Sequence, residues 1–274
     1  MSRPPLSRRR FLTLPLALLL APAALPWDRA RAAPDSRRGT YAVDVGILYG
    51  MLGYHLEGTL SETVDRAAGS YEVKIAGEGD GIANRIESSG VLLNGRWAPQ
   101  ESHSFFSVKG RKSRSDIAYD WTRRTIAYHF RGETFFLRKL RVADDVVPVP
   151  EELHVDDSLS AMLNYADARW LPQEDGTYRT HVVRRKKADD EGPDDAQSAY
   201  RAELVPITLK VAFDAASGKR TALFDLTGFS SWARRDQPGR ITFGYDKRPE
   251  LLTLGMMLGT SVKVELRSPA PQPS

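Results

Sequence analysis

The side chains that could do chemistry in this chain are few and scattered. Five histidines, His55, His103, His129, His154 and His181, lie far apart in the sequence. Acyl transfer by a Ser-His-Asp set needs a serine on a tight elbow and a histidine placed to take its proton. No G-x-S-x-G is present. Zinc sites are usually announced by His or Cys at short spacing, and there is no cysteine at all. The paired acids Asp144-Asp145, Asp156-Asp157 and Asp189-Asp190 lack the D-x-D-x-D-G spacing of a calcium loop, so turn and cap roles account for them. GEGDG at 77–81 superficially resembles a phosphate cradle, but a cradle needs a helix behind it, and the residues that follow read as strand or turn. These observations predict no catalytic residues, no metal and no cofactor. A carboxylate pair for glycoside hydrolysis is assembled in space and leaves no mark in sequence.

The elements that would carry any site are mainly strands. Tyr41, Val43, Val45, Ile47 and Tyr49 alternate with Ala42, Asp44 and Gly46, a period of two. Gly50 and Gly53 bracket a turn, after which Tyr54, Leu56 and Leu60 alternate with polar residues. Tyr71, Val73 and Ile75 follow, closed by GEGDG. Further strands are predicted near 85–93, 102–109, 114–120, 125–131, 178–185, 200–213, 221–229, 240–245 and 261–266. His55, His103 and His129 then fall on polar strand faces. VVPVPEE reads as a break. DDSLSAMLNYADARW reads as a helix, capped by Asp157 or Ser158, with Leu159, Met162, Leu163, Ala166 and Trp170 along one face.

About eleven strands and one helix predict a mainly β fold: an antiparallel, strongly curved, partly closed barrel with the helix packed on its concave face. Such closure manages strand edges that would otherwise pair with other chains. A two-sheet sandwich is the competing architecture. Aromatic and large apolar residues along the strands are either packed core or the lining of an apolar pocket. The pocket candidates are Tyr49, Met51, Tyr54, Phe105, Trp121, Phe135 and Met162.

The N-terminus reads as an export signal. SRRRFLTLPLALLLAPAALP (7–26) has a basic start and an apolar run, with Ala30-Arg31-Ala32 as a cleavage site. Ser7 to Leu12, with Arg8 and Arg9 as the pair, matches the twin-arginine pattern, which implies passage through the Tat translocase. Pro15, Pro22 and Pro26 interrupt the apolar run, which falls short of the ~20 residues a spanning helix needs. The predicted organisation is a signal peptide over 1–32, one barrel-like domain over 33–267 and a disordered tail over 268–274, in a periplasmic protein with no transmembrane anchor.

Charge argues against nucleic acid. Of 39 Lys+Arg and 35 Asp+Glu, six arginines and Asp28 fall in residues 1–32. The remainder carries 33 basic and 34 acidic side chains, a formal net charge of −1, without the basic stripe that nucleic-acid binding requires. Arg184–Lys187 is answered at once by acids at 189–195, as in a solvated loop. With no cysteine, about 240 residues must hold together by burial and backbone pairing alone.

YAVDVGILYGMLGY, SYEVKIAGEGDG, RIESSGVLLNGRWAPQ and DDSLSAMLNY in succession resemble the bacterial family catalogued as domain of unknown function 3108. The chain departs from that pattern at Asp157-Ser158, where the family more often has Asp-Pro, which touches the helix entry. The family is similar in outline to the periplasmic lipoprotein carriers of the localisation pathway (LolA/LolB-like), unclosed barrels with helices over an apolar concave side. The resemblance implies a non-catalytic carrier of an apolar or lipid-like molecule and assigns no functional residues. The alternatives are a cell-envelope accessory protein acting through protein–protein contacts and an unrecognised periplasmic hydrolase.

Overall fold

A computed structural model describes residues 33–267, apart from 48, 135, 189, 190, 193, 198 and 231. Arg8, Arg9, Phe135 and the predicted tail lie outside the described residues. Fourteen strands form one antiparallel sheet. They are β1 (Asp35–Ile47), β2 (Leu52–Asp65), β3 (Ser70–Gly79), β4 (Ile82–Leu93), β5 (Arg96–Val108), β6 (Arg111–Asp120), β7 (Thr125–Glu133) and β8 (Leu140–Pro148), then β9 (Thr177–Arg185), β10 (Ala202–Asp214), β11 (Lys219–Phe224), β12 (Gly239–Phe243), β13 (Pro249–Gly255) and β14 (Ser261–Arg267). Helix α1 (Ser158–Ala166) separates β8 from β9.

The expected count of about eleven strands is corrected to fourteen. β8 and β13 are the strands the pattern hid. β8 carries apolar residues on both sides, Leu140, Val142 and Val146 outward and Ala143 and Val147 inward, with carboxylates on both as well, Asp144 outward and Asp145 inward, so no alternation shows. Its Pro148 is tolerated because β8 stands first in the strand order, at the sheet margin. β13 is a nearly continuous apolar run, ELLTL, with no period to read.

The strand order is β8-β7-β6-β5-β4-β3-β2-β1-β14-β13-β12-β11-β10-β9. Two meanders are therefore joined by a ladder of seven residue pairs between β1 and β14, from Thr40↔Arg267 to Gly46↔Ser261. Successive hairpin turns alternate between two ends. Asn94-Gly95 is one of the tight ones, both residues left-handed (φ 51° and 81°), the twist that suits a two-residue hairpin.

The outermost strands approach each other and nearly close the barrel. The Tyr200 N–H donates to the Val142 carbonyl (2.9 Å), and the Ala202 N–H to Asp145 (2.9 Å), which also pairs with Arg201 (3.0 Å). The buried Glu191 carboxylate lies between Arg185 (2.6 Å) and Arg141 (3.3 Å). Beneath this seam Tyr119, Ile126, Tyr128, Val147, Val155, Val183 and Tyr200 pack together.

α1 fills one end of the barrel. Asp157 caps it, accepting from the Leu159 and Ser160 N–H groups, while the Ser160 hydroxyl accepts from the Asp157 N–H. The exchange of Asp-Pro for Asp157-Ser158 thus leaves a complete capping box. Leu163 packs against Val64, Tyr71, Val73 and Trp97 on one wall. Ala161 and Tyr165 meet Leu209, Ala222, Ile241 and Phe243 on the other. Asn164, fully buried, takes the Trp97 N–H on Oδ1 (2.8 Å) and donates Nδ2 to the Trp97 carbonyl (2.8 Å), so its amide pairs with β5 as a neighbouring strand would. The predicted placement of the helix on the concave face is what the structure has.

Candidate functional site

Three regions hold the side chains from which a site could be built: the concave face above the helix, the outward rows of the sheet, and the buried node at the helix entry.

On the concave face the two ends differ. Around α1 most inward apolar residues are buried, Val64, Tyr71, Val73, Trp97, Leu209, Ala222, Ile241 and Phe243 among them, with Leu92, Ile207 and Leu252 half-buried at their margin. Towards the other end, where the turns at 49–51, 80–81, 109–110 and 256–260 lie, Tyr41, Leu56 and Ile82 are buried, but Val43, Val45, Tyr54, Ile75, Val108, Val264 and Leu266 around them are only half-buried. Tyr41 lies flat on the sheet here. A Cβ at Gly58 or Gly77 would fall 2.5 Å from its ring or hydroxyl, so glycine at both positions makes room for it. Above this surface the rim is apolar. Tyr49 and Met51 are 85% and 82% exposed. The Tyr49 N–H donates to the Gly259 carbonyl beside exposed Met257 and Leu258. The Met257 N–H donates to the Trp232 carbonyl, and the Trp232 ring stacks on Phe136 at 5.8 Å.

The predicted pocket residues are not gathered into one place. Tyr49 and Met51 stand on the rim, and Tyr54 points inward just below it with Lys109 over its ring at 5.1 Å. Phe105 points outward. Trp121 lies at the opposite end, stacked between Tyr119 and His154, its Nε1–H donating to the Pro99 carbonyl. Met162, on α1 itself, packs against the wall around Leu209. On β5 the inward residue near the rim is instead Phe106, which is exposed. The cause is a β-bulge: Gly90 pairs with Pro99 and Ser89 with Glu101, leaving Gln100 unpaired. One extra residue reverses which side chains face inward. Trp97 and Pro99 are inward before it, Ser102, Ser104 and Phe106 after it.

The outward rows are charged. Cross-strand register places Lys74, Glu87, His103, Asp116, His129 and Asp144 side by side on β3 to β8, alternating in sign. His103 Nδ1 is 2.8 Å from Asp116, His129 Nδ1 2.9 Å from Asp144, and His55 Nδ1 2.7 Å from Asp44. All three histidines are exposed on the polar face, as expected. The hydrogen bond to Asp44 raises the His55 pKa, and that from Arg114 lowers the Asp116 pKa. Two of these pairs depart from the arrangement of an acyl-transfer set. In an acyl-transfer set the second ring nitrogen faces a hydroxyl, whereas His103 Nε2 faces Glu101 (3.8 Å) and His55 Nε2 faces Glu57 (3.7 Å). Beside the row a broad outer groove of about 1010 Å³ is lined by Glu57, Glu78, Arg85, Phe105 and Arg114 among others. A membrane-spanning barrel needs an apolar outer band, the opposite of this row. No helix among the described residues is long and apolar enough to cross a membrane.

The buried node is centred on Asp156. Its carboxylate is fully enclosed and shared by Arg96 (2.8 Å), Thr180 (2.6 Å), Asn164 (2.9 Å), Ser160 (3.2 Å) and His154 (3.2 Å). Asp157 beside it has its pKa raised by burial, with Oδ2 unpartnered. Burial also raises Tyr71 and Tyr119, the latter with an unpartnered hydroxyl. These groups fix the helix entry to three walls of the barrel. Among the described residues no group of three His, Cys, Asp or Glu side chains could hold a metal ion.

No protein-family model matches the chain, and no curated protein matches it. The resemblance to domain of unknown function 3108 therefore stands on the sequence stretches alone. Among solved structures the chain is similar to a β-barrel-like protein of the domain of unknown function DUF1849 from Brucella abortus, at 11% identity, with 88% of this chain and 99% of that chain covered and a TM-score of 0.39. At that score the likeness carries no argument, and the barrel is read from this chain's own strand order.

Proposed function

We propose that the protein is a non-catalytic periplasmic binding or carrier module for an apolar, lipid-like ligand in the cell envelope, exported by the twin-arginine route. The observation that carries this reading is the half-buried apolar surface inside the open end of the barrel, beneath an exposed apolar rim. A core element would bury those side chains fully, since each half-exposed aliphatic forgoes roughly 1 kcal/mol of transfer free energy. Exposed apolar residues that adjoin one another mark interaction sites, whereas scattered ones do not. The test is native mass spectrometry with solvent extraction on protein purified from the periplasm. A stoichiometric apolar molecule is expected. Apo protein that also ignores a fluorescent fatty-acid probe would overturn the proposal.

The broad outer groove, with its rows of alternating charge, favours a second reading, a cell-envelope accessory protein docking a protein partner there. Charge-reversing Arg85 and Arg114 together would abolish that docking and leave apolar-probe binding untouched.

A further inference from the structure

At the helix-filled end, remote from the rim, a pocket of about 640 Å³ opens between the β4–β5 turn, the chain leaving α1 and β9. It is lined by Asn94, Gly95, Arg96, Asp167, Arg169 and Arg179, among others. Elsewhere in the barrel guanidinium groups close two-pronged pairs with carboxylates: Arg114 with Asp116, Arg185 with Glu191, Arg234 with Asp236 and Arg248 with Glu62. The three arginines of this pocket do not. Arg96 gives only Nη2 to Asp156 (2.8 Å), and its Nε is without a partner. Arg169 gives only Nη1 to the Gly95 carbonyl (2.9 Å), and its Nε is likewise unpartnered. Arg179 is exposed and its side chain makes no hydrogen bond or ion pair.

Charge is largely answered here. Asp156 offsets Arg96. Asp167 is taken up by Arg66 (2.9 and 3.0 Å) and by Trp97 Nε1–H (3.0 Å), and stands 4.0 Å from Arg169 Nε, beyond hydrogen-bond reach. Arg66 has a second partner in Asp35 (3.4 Å), so Asp167 also serves Arg169 at ion-pair distance, and the Arg179 charge acts on Asp175. What the pocket keeps is donors: most guanidinium nitrogens of Arg169 and Arg179 have no hydrogen-bond acceptor. The carbonyls ending α1, which would repel an anion, are already satisfied, Leu163 by the Asp167 N–H (2.9 Å) and Asn164 by the Arg169 N–H (2.8 Å). The site is held rigidly: the Arg169 guanidinium lies 5.2 Å from the Trp97 ring centre, Arg96 lies 5.9 Å from that of Trp170, and Trp170 Nε1–H fastens the Arg179 backbone carbonyl (3.0 Å).

We infer that this pocket binds a phosphate group, either free phosphate or the phosphomonoester end of a larger molecule. Guanidinium forks match phosphate oxygens in geometry and charge, and three arginines with unused donors line this one pocket. The inference does not rest on the carrier reading, because the pocket is at the other end of the barrel.

The experiment is calorimetric titration of the protein with inorganic phosphate at constant ionic strength, repeated with dihexanoyl phosphatidate below its micellar concentration. Saturable one-to-one binding is expected for at least one of them, weakened about tenfold or more by Arg179→Gln, since a charge-assisted hydrogen bond is lost. Arg179 is exposed and unpaired, so that variant should keep the wild-type melting temperature. Arg85→Gln, on the outer face, should bind as wild type does. Tighter binding of the phosphatidate would identify a lipid headgroup as the source, and equal or weaker binding a soluble phosphate, with the site sustained in both cases. Absence of saturable binding of both ligands, or binding indifferent to Arg179→Gln, would overturn the inference.

Discussion

Glu191→Gln should loosen the barrel at one place. The side chain of Glu191 is 1% exposed and those of Arg185 and Arg141 are 12% exposed. Two Arg185 nitrogens hold its carboxylate at 2.6 and 2.8 Å. Burial pushes the pKa up, but Arg185 and Arg141 more than offset it, and the net position is below the ordinary glutamate value. The amide keeps the shape and removes the charge, leaving two guanidinium groups facing each other across a neutral side chain. Breaking a buried pair costs about 3–5 kcal/mol. Partial water access to both arginines puts the expected loss at the lower end, about 3 kcal/mol. For a domain of this size each kcal/mol shifts Tm by roughly 2–4 °C, so the variant should melt about 6–12 °C lower. Urea unfolding would give the same loss as a shift in midpoint at unchanged slope. Hydrogen exchange should accelerate first at β8 and the start of β10. Because the folded-state pKa is depressed, the wild-type advantage is present above the unfolded-state pKa, near 4.3. It is lost as pH falls through the folded value, so the two proteins should converge in acid. A variant within about 0.5 kcal/mol of wild type at pH 7, or a gap that persists undiminished at pH 3, would refute the reasoning.

Three further outcomes follow from the geometry. Asn164→Leu strands the Trp97 N–H and carbonyl in a dry interior and should cost about 2–4 kcal/mol by chemical denaturation, two unsatisfied buried groups at 1–3 kcal/mol each partly relieved by water. A loss below 1 kcal/mol would mean the amide is not acting as a strand. Phe106→Ser should weaken binding of a fluorescent fatty acid several-fold while Phe105→Ser leaves it unchanged, and the reverse order would show that the bulge does not set the inward face. The His55 imidazole should titrate above 6.5 by NMR and return towards that value in Asp44→Asn, because the Asp44 hydrogen bond is the main cause of the rise. An unaltered titration would assign the shift elsewhere.

Most of the fold was legible because it is written in period two. β1 to β4, β6 and β7 alternate, β5 does so on either side of its bulge, and the helix declared itself through Asp157 and the Leu159–Leu163 spacing. β8 and β13 were not legible: both carry apolar residues on both faces, β8 at the sheet margin and β13 between two other strands. The concave face was legible only up to the bulge at Gln100. Nothing in PQESHSFF says that one residue will go unpaired, so Phe105 and Phe106 trade places invisibly. The arginine pocket left no trace either. Arg96, Arg169 and Arg179 are distant in sequence, and what distinguishes them is which carboxylates are already taken, a property of the whole arrangement.

The way the sheet closes has a mechanical consequence. One junction of its two meanders is the continuous β1–β14 ladder; the other, among the described residues, is the short Ala143–Tyr200 bridge reinforced by side chains, Asp145, Glu191, Arg141 and Asp194. The barrel thus resembles a hinged case with its hinge at β1–β14 and its latch at β8–β10. Any stress that widens the interior, whether from a bulky guest or from acid neutralising Glu191, releases the latch first. Opening would then part the wall lengthwise along β8 and leave the mouth and the helix plug in place.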